Sequence, residues 1–349
     1  MGKAHSNAYC QAPHFFDLPF TIKRRLLCGR DTASLAGMAQ RWGWEETSTD
    51  WRSAIARSDI DAVDICLPNH LHAPVAIAAA EAGKIVFCEK PLALSVADAR
   101  KMADAARRVQ TLVWFNYRRV PAVAYARQLI DEGRLGTIFH YNATYKQQWG
   151  SDTSRAGTWK MDPSQAGSGV GDDLLTHLLD TALYLNGPIT ETVAKARVIA
   201  PNRAVDDAVM ALVVFANGSA GTFEATRFGI GCKNRKTFEI HGSGGMLRFN
   251  LEDLNHLEFL DFSNPSSEQG VRDLLVTDMK HPIFGNFWRP GHIIGYEHTF
   301  ITALAQFLQC LSKGEEFHPN FADGLAVQEV FDAVQRSAKT RQWTTVVRA

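Results

Sequence analysis

Ile85-Val86-Phe87-Cys88-Glu89-Lys90-Pro91 is an apolar run that stops abruptly at two charges and a proline. A short continuous apolar run of this kind predicts a strand buried on both faces, as in a parallel sheet. The same grammar recurs on either side. Ala62-Val63-Asp64-Ile65-Cys66-Leu67 runs into Pro68-Asn69, Leu112-Val113-Trp114-Phe115 into Asn116-Tyr117-Arg118, and Leu26-Leu27-Cys28 into Gly29-Arg30-Asp31. Helical patterns over residues 32–42, 74–82 and 97–107 separate these runs. Strands alternating with helices predict a doubly wound α/β layer. Ligands of such sheets bind beyond the carboxyl ends of the strands, so the residues just past each run are the ones to examine.

Past residue 120 the pattern changes. A helix to Glu132 leads into a β-like stretch over 138–149, interrupted later by a helical segment over 172–185. Strand candidates at 209–215 and 221–227 flank Asn217-Gly218, a strong hairpin signal. Two more, 237–241 and 246–250, flank a glycine-rich turn at Gly242 to Gly245. In Thr237-Phe238-Glu239-Ile240-His241 the apolar residues alternate, which predicts a sheet with one wetter face. Helices over 295–312 and 321–338 close the chain. The expectation is a Rossmann-like parallel sheet over residues 1–118, then an α+β domain over 119–349 with a large, mostly antiparallel open sheet.

The 349 residues carry a formal net charge of zero, with 46% hydrophobic and 21% charged residues. No basic run stands out, so neither nucleic acid nor a membrane surface is an expected partner. No apolar stretch approaches a membrane span and no export signal is legible. The six cysteines are scattered, with no metal-ligand spacing, and several sit in apolar runs. Reduced thiols in the cytoplasm are expected.

Lys90 at a buried strand end is a partly desolvated ammonium ready to donate hydrogen bonds, or simply part of a loop. Asp173 and His177 are four apart and Asp180 three further, so a helix would place them on one face. There a carboxylate can orient an imidazole for acid–base work, make a surface contact, or help hold a divalent ion. Asn69 and His72 could bond a ribose or an amide, or merely satisfy their loop. Arg118 and Arg119 could clamp a ligand or form structural ion pairs.

These pieces, taken together, resemble one family. Pro68-Asn69-His70-Leu71-His72, Ala82-Gly83-Lys84, Cys88-Glu89-Lys90-Pro91-Leu92, Phe115-Asn116-Tyr117-Arg118, Gly133-Arg134-Leu135-Gly136, Gly171-Asp172-Asp173 with His177 and Asp180, and Phe321-Ala322-Asp323-Gly324 follow one another as in the glucose–fructose oxidoreductase/inositol dehydrogenase (Gfo/Idh/MocA) family. Asn116-Tyr117-Arg118-Arg119, Gln148-Trp149 and Gly295-Tyr296 are similar to its levoglucosan dehydrogenase-type subgroup. The resemblance implies a sugar or polyol dehydrogenase that uses NAD(P) and forms a homodimer or homotetramer through the open sheet. It implies catalytic roles for Lys90, Asp173 and His177. Cofactor contacts are expected at Gly2, Lys3, Gly29, Arg30, Asp31, Pro68, Asn69, His72, Glu89, Lys90 and Asn116. Substrate contacts are expected at Asn116, Arg118, Gln147, Trp149, Lys160, Asp173, His177 and Tyr296. No metal is expected.

The sequence departs from the family pattern twice. Met1-Gly2-Lys3-Ala4-His5 reads as the last glycine of a dinucleotide loop and the helix after it, without the strand and earlier glycines. The natural protein is therefore expected to begin roughly ten residues earlier; a native intact mass starting at Met1 would refute that. NAD-selective sheets carry Asp or Glu at the end of the second strand, whereas Gly29-Arg30 leaves room and charge for a 2′-phosphate, a lean to NADP that Asp31 could reverse. Two other functions stay open: an NAD-dependent glycosidase, and a non-catalytic dinucleotide-binding regulator.

Overall fold

The computed structural model describes residues 1–152 and 158–348. They form two compact units. The first comprises Met1–Ala93, Ala97–Asn116 and Tyr296–Leu325, and the second Leu94–Val96, Tyr117–Gly295 and Ala326–Ala349. The sequence suggests a single cut after residue 118. Instead residues 296–325 return to the first unit, because the helix they contain packs along the first helix of the chain.

The first unit opens with α1 (Gly2–Phe15), β1 (Leu26–Cys28), α2 (Thr32–Trp42), β2 (Glu46–Ser48), α3 (Trp51–Ile55) and β3 (Ala62–Ile65). It continues through α4 (His72–Glu81), β4 (Ile85–Cys88), α5 (Val96–Ala105) and β5 (Thr111–Val113). Every strand pairing is parallel, but the layer is in two pieces, β1 with β2 and β3-β4-β5. The central β4 is buried on both faces, as its apolar run dictates. The side chain of Asp31 caps α2 by accepting from the Ser34 N–H, and Gly43, left-handed at φ 67°, ends it.

The second unit contains α6 (Pro121–Asp131), β6 (Ile138–Lys146), α7 (Pro163–Ala166), α8 (Thr176–Asn186), β7 (Ile189–Arg197), β8 (Ala208–Phe215), β9 (Ala220–Thr226), β10 (Arg235–Gly242), β11 (Gly245–Asn250), β12 (His256–Asp261) and β13 (Arg272–Leu275). Helix α9 (Tyr296–Lys313) belongs to the first unit; α10 (Phe321–Thr340) and β14 (Thr344–Thr345) close the chain. Nine strands make one sheet in the order β13-β12-β11-β10-β6-β9-β8-β7-β14, antiparallel except between β6 and β9. Helices α6 and α8 cover one face, over Tyr141, Phe238, Ile240 and Phe249. The other face carries Thr144, Thr222, Thr237 and Glu239 with exposed Met210 and Leu212. The Asn217-Gly218 hairpin forms as the turn chemistry requires, with Gly218 at φ 85°.

The helical segment expected over 172–185 is not one helix. Gly171–Leu175 winds as a π turn before α8 begins at Thr176. Gly171 has no room for a Cβ, which would lie 2.7 Å from the Phe331 ring. The wider turn changes the phase between Asp173 and His177, so simple i, i+4 geometry does not hold there. Among the described residues, no helix is long and apolar enough to cross a membrane.

Candidate active site

In the first unit the strand ends gather the expected residues. His72 is fully buried and spends both ring nitrogens on main-chain carbonyls, Nδ1 on Pro91 (2.8 Å) and Nε2 on Leu67 (2.9 Å). It staples the loop after β3 to the loop after β4, and burial holds its pKa below the usual histidine value. Lys90-Pro91 is a cis peptide, and the Lys90 N–H donates to Glu89 Oε2 at 3.1 Å. Asn116 is buried and donates to Thr299 on α9 (2.8 Å); Tyr296, at the start of that helix, is exposed.

Beneath Glu89 lies a buried polar cluster that the sequence reading missed. His5 on α1 faces Asp64 Oδ2 (2.8 Å) and Cys66 Sγ (3.0 Å) through Nδ1, and Glu89 Oε1 (3.0 Å) through Nε2. Asp64 also accepts from Tyr9 and Trp114. Burial pulls the His5 pKa down, but the charge of Asp64 with its hydrogen bond pushes it well above the ordinary value. Burial alone would raise the Asp64 pKa, and His5⁺ with the Tyr9 and Trp114 donors instead lowers it. Burial pushes the Cys66 thiol up to about 11. The only signal in the sequence is that His5 and Tyr9 share one helical face, with their partners far away along the chain.

In the second unit the Asp173 carboxylate faces Lys160 Nζ (3.2 Å) and Arg227 Nη2 (3.3 Å), and both cations lie over the Trp149 ring. The Trp149 indole donates to Gln147, which donates to Asn234; Tyr145 donates to the same oxygen of Asn234 and meets the Tyr117 hydroxyl. The rings of Tyr117 and Tyr145 flank His177 at 4.7 and 5.9 Å. One contiguous network thus joins five of the expected residues, Gln147, Trp149, Lys160, Asp173 and His177. Arg118 lies deeper, its Nε and Nη2 donating to buried Asp180. Arg227, Asn234 and Tyr145 were not foreseen, and Tyr117 was marked only as part of the Asn116-Tyr117-Arg118 run.

Lys236 was also missed, although its signal was present. It shares the inward phase of β10 with Phe238 and Ile240, so alternation alone buries it. Its Nζ donates to Thr181 and sits over the Tyr117 ring, and burial pulls its pKa down to about 7 against the opposing charge of Asp180.

The start of α1 suits a phosphate. Its first turn has no acidic residue, which suits an anion at the positive end of the helix dipole. A Cβ built at Gly2 meets only Met38, at 3.8 Å, so the backbone there is open to close approach. A parallel α/β unit with polar loops beyond its strand ends is the architecture of a dinucleotide-binding domain.

The comparisons with known proteins narrow this class. Residues 1–117 match the family model described as "Oxidoreductase family, NAD-binding Rossmann fold", and residues 123–248 match "GFO/IDH/MocA C-terminal domain". The chain belongs to the Gfo/Idh/MocA oxidoreductase family. It is 39% identical to levoglucosan dehydrogenase of Pseudarthrobacter phenanthrenivorans, over 99% of this chain and 95% of that protein. A levoglucosan dehydrogenase structure in complex with NADH and levoglucosan superposes with a TM-score of 0.97 at 40% identity, covering 100% of this chain and 97% of that one. An oxidoreductase domain protein from Kribbella flavida gives 0.97 at 42% identity, covering 100% and 96%.

Proposed function

We propose that the protein is a nicotinamide-dependent dehydrogenase that oxidises a ring hydroxyl carbon of a cyclic sugar, with levoglucosan the first substrate to try. One observation carries the reading: a carboxylate held between two cations beside an indole face, in the network that also holds His177. An indole suits the apolar face of a sugar ring, and ammonium and carboxylate suit its hydroxyls.

In this reading Lys90 donates to the substrate oxygen, His177 takes the hydroxyl proton, and Asp173 with Lys160 orients the sugar. The start of α1 with Gly2 and Lys3, and the loops at Gly29 to Asp31, Pro68-Asn69 and Glu89-Lys90, would hold the dinucleotide. When bound, its nicotinamide supplies the acceptor for the hydride that leaves the carbon. The test is purified protein with levoglucosan and a panel of sugars and polyols, read as NADH formed. Net reduction of NAD is expected. Cleavage of glycosides without net NADH would favour the glycosidase, and cofactor binding with no chemistry on the whole panel would favour a regulator.

Cofactor choice rests on the end of β1. Asp31 is engaged as the cap of α2, and Arg30 is exposed, so Arg30 is the residue that answers a 2′-phosphate. The proposal is that NADP is accepted alongside NAD through Arg30. Arg30→Ala should then lower kcat/KM for NADP about tenfold, the scale of one exposed phosphate contact, and leave NAD unchanged. Wild-type protein that ignores NADP would remove the idea.

The open sheet face, with Met210 38% and Leu212 48% exposed, is proposed as a subunit contact in a homodimer or homotetramer. A single 38.7 kDa species in sedimentation would overturn that. The six cysteines are free thiols, which suits a reducing cytoplasm.

A further inference from the structure

We propose that His5 is a positioning residue that ties the start of α1 to Lys90 through Glu89, so that a ligand seated on the helix start sets the place of the Lys90 ammonium. This rests on the reading of Lys90 as the group that meets substrate. The link is continuous within the first unit. The His5 N–H bonds back to the Met1 carbonyl in the first turn of α1. Its ring then reaches Glu89 Oε1, and the second oxygen of that carboxylate accepts from the main-chain N–H of Lys90. A single carboxylate thus spans the helix and the residue after β4.

The remaining surroundings fix the ring in one orientation. Asp64 and Cys66 hold Nδ1, Tyr9 and Trp114 hold Asp64, and the Trp114 and Phe300 rings pack on the imidazole at 4.3 and 5.4 Å between centroids. Aligned imidazolium and carboxylates in a core cost desolvation that apolar side chains of the same volume would avoid. The arrangement therefore serves position better than it serves stability. As placed, the three side chains bond to one another rather than stand at metal-ligand spacing. His5 Nδ1 lies 2.8 Å from Asp64 Oδ2 and 3.0 Å from Cys66 Sγ, which are hydrogen-bond separations. Ligands sharing a tetrahedral zinc ion would stand about 3.3 Å apart or more.

The test compares His5→Gln, Glu89→Gln, the double variant and Tyr9→Phe in the full chain. Tyr9→Phe removes a bond to the cluster without touching the link. Two readouts are taken: steady-state kinetics with the best sugar, and the rate at which an acylating reagent labels Lys90, with and without NADH, by mass spectrometry. Each single substitution on the link should lower kcat on the order of 10²-fold, the scale of a small misplacement, with KM for the sugar within about threefold. The double variant should be no worse than the worse single one, and Tyr9→Phe should keep kcat within about twofold. NADH should change Lys90 labelling in wild type and in Tyr9→Phe, and not in the link variants. Multiplying effects of the two substitutions, or an NADH response that survives both, overturns the proposal. If His5→Gln does not fold, Glu89→Gln decides by the same criteria. If no sugar turns over, the labelling readout still decides, so failure of the dehydrogenase reading is seen separately.

Discussion

His177→Asn is expected to cut turnover by about 10²- to 10⁴-fold, the usual worth of a positioned general base, while NADH and sugar still bind. His177 is 7% exposed, and its ring is held between two tyrosines, so its orientation is fixed by packing before any substrate arrives. Asparagine is smaller than the imidazole and leaves the tyrosines in place, which confines the loss to proton transfer. Lys90→Met, which keeps the aliphatic stem, should lose a similar factor. Because the two residues are proposed to serve one hydroxyl, the double variant should fall far short of the product of the two losses. Full multiplicative loss would mean that they act in separate steps. Retention of near-wild-type kcat in either single variant would remove that residue from the mechanism. Cofactor binding, followed by nucleotide fluorescence, separates lost chemistry from lost structure.

The second large effect is on stability. Asp180→Ala should destabilise the protein by roughly 3–5 kcal/mol, because it strands a buried guanidinium. Asp180 is 1% and Arg118 5% exposed, and the guanidinium meets both carboxylate oxygens. Lys236→Met should act in the opposite direction, stabilising by about 1–4 kcal/mol at neutral pH. The folded pKa of Lys236 is about 7 against about 10.4 for a free lysine, so the unfolded chain binds more protons between those values. Stability from this group therefore rises as pH climbs from 7 towards 10, and below 7 its penalty is constant. Urea titrations of wild type across that window should show the rise, and Lys236→Met should flatten it. A wild-type slope unchanged by the substitution would contradict the buried, neutralised amine.

The sequence made the strands of the first unit legible because a buried parallel strand has no polar face to disguise it. Cys88-Glu89-Lys90-Pro91 marks its own end, and Asn217-Gly218 names its own turn. What stayed hidden depends on partners that are remote along the chain. His5 is 59 residues from Asp64 and 84 from Glu89, and Asn116 is 183 from Thr299. Nothing local signals such contacts. The π turn escaped for another reason: Gly171 is shaped by the ring of Phe331, so periodicity over 172–185 reads as an ordinary helix. The return of α9 to the first unit is a packing fact between α1 and α9 and leaves no mark in either segment. Arg118 illustrates the converse. As a residue type it suits a ligand clamp, and only its depth beside Asp180 shows that it first serves the core.

The staple formed by His72 carries an arithmetic of its own. Its two nitrogens each point at a carbonyl oxygen, yet an imidazole held uncharged owns a single proton. Two acceptors at such a distance repel unless a proton lies between them, so the uncharged ring can bond only one of the two carbonyls, and only the imidazolium, which burial disfavours, bonds both. The loops after β3 and β4 thus compete for one hydrogen unless the ring takes up a second proton.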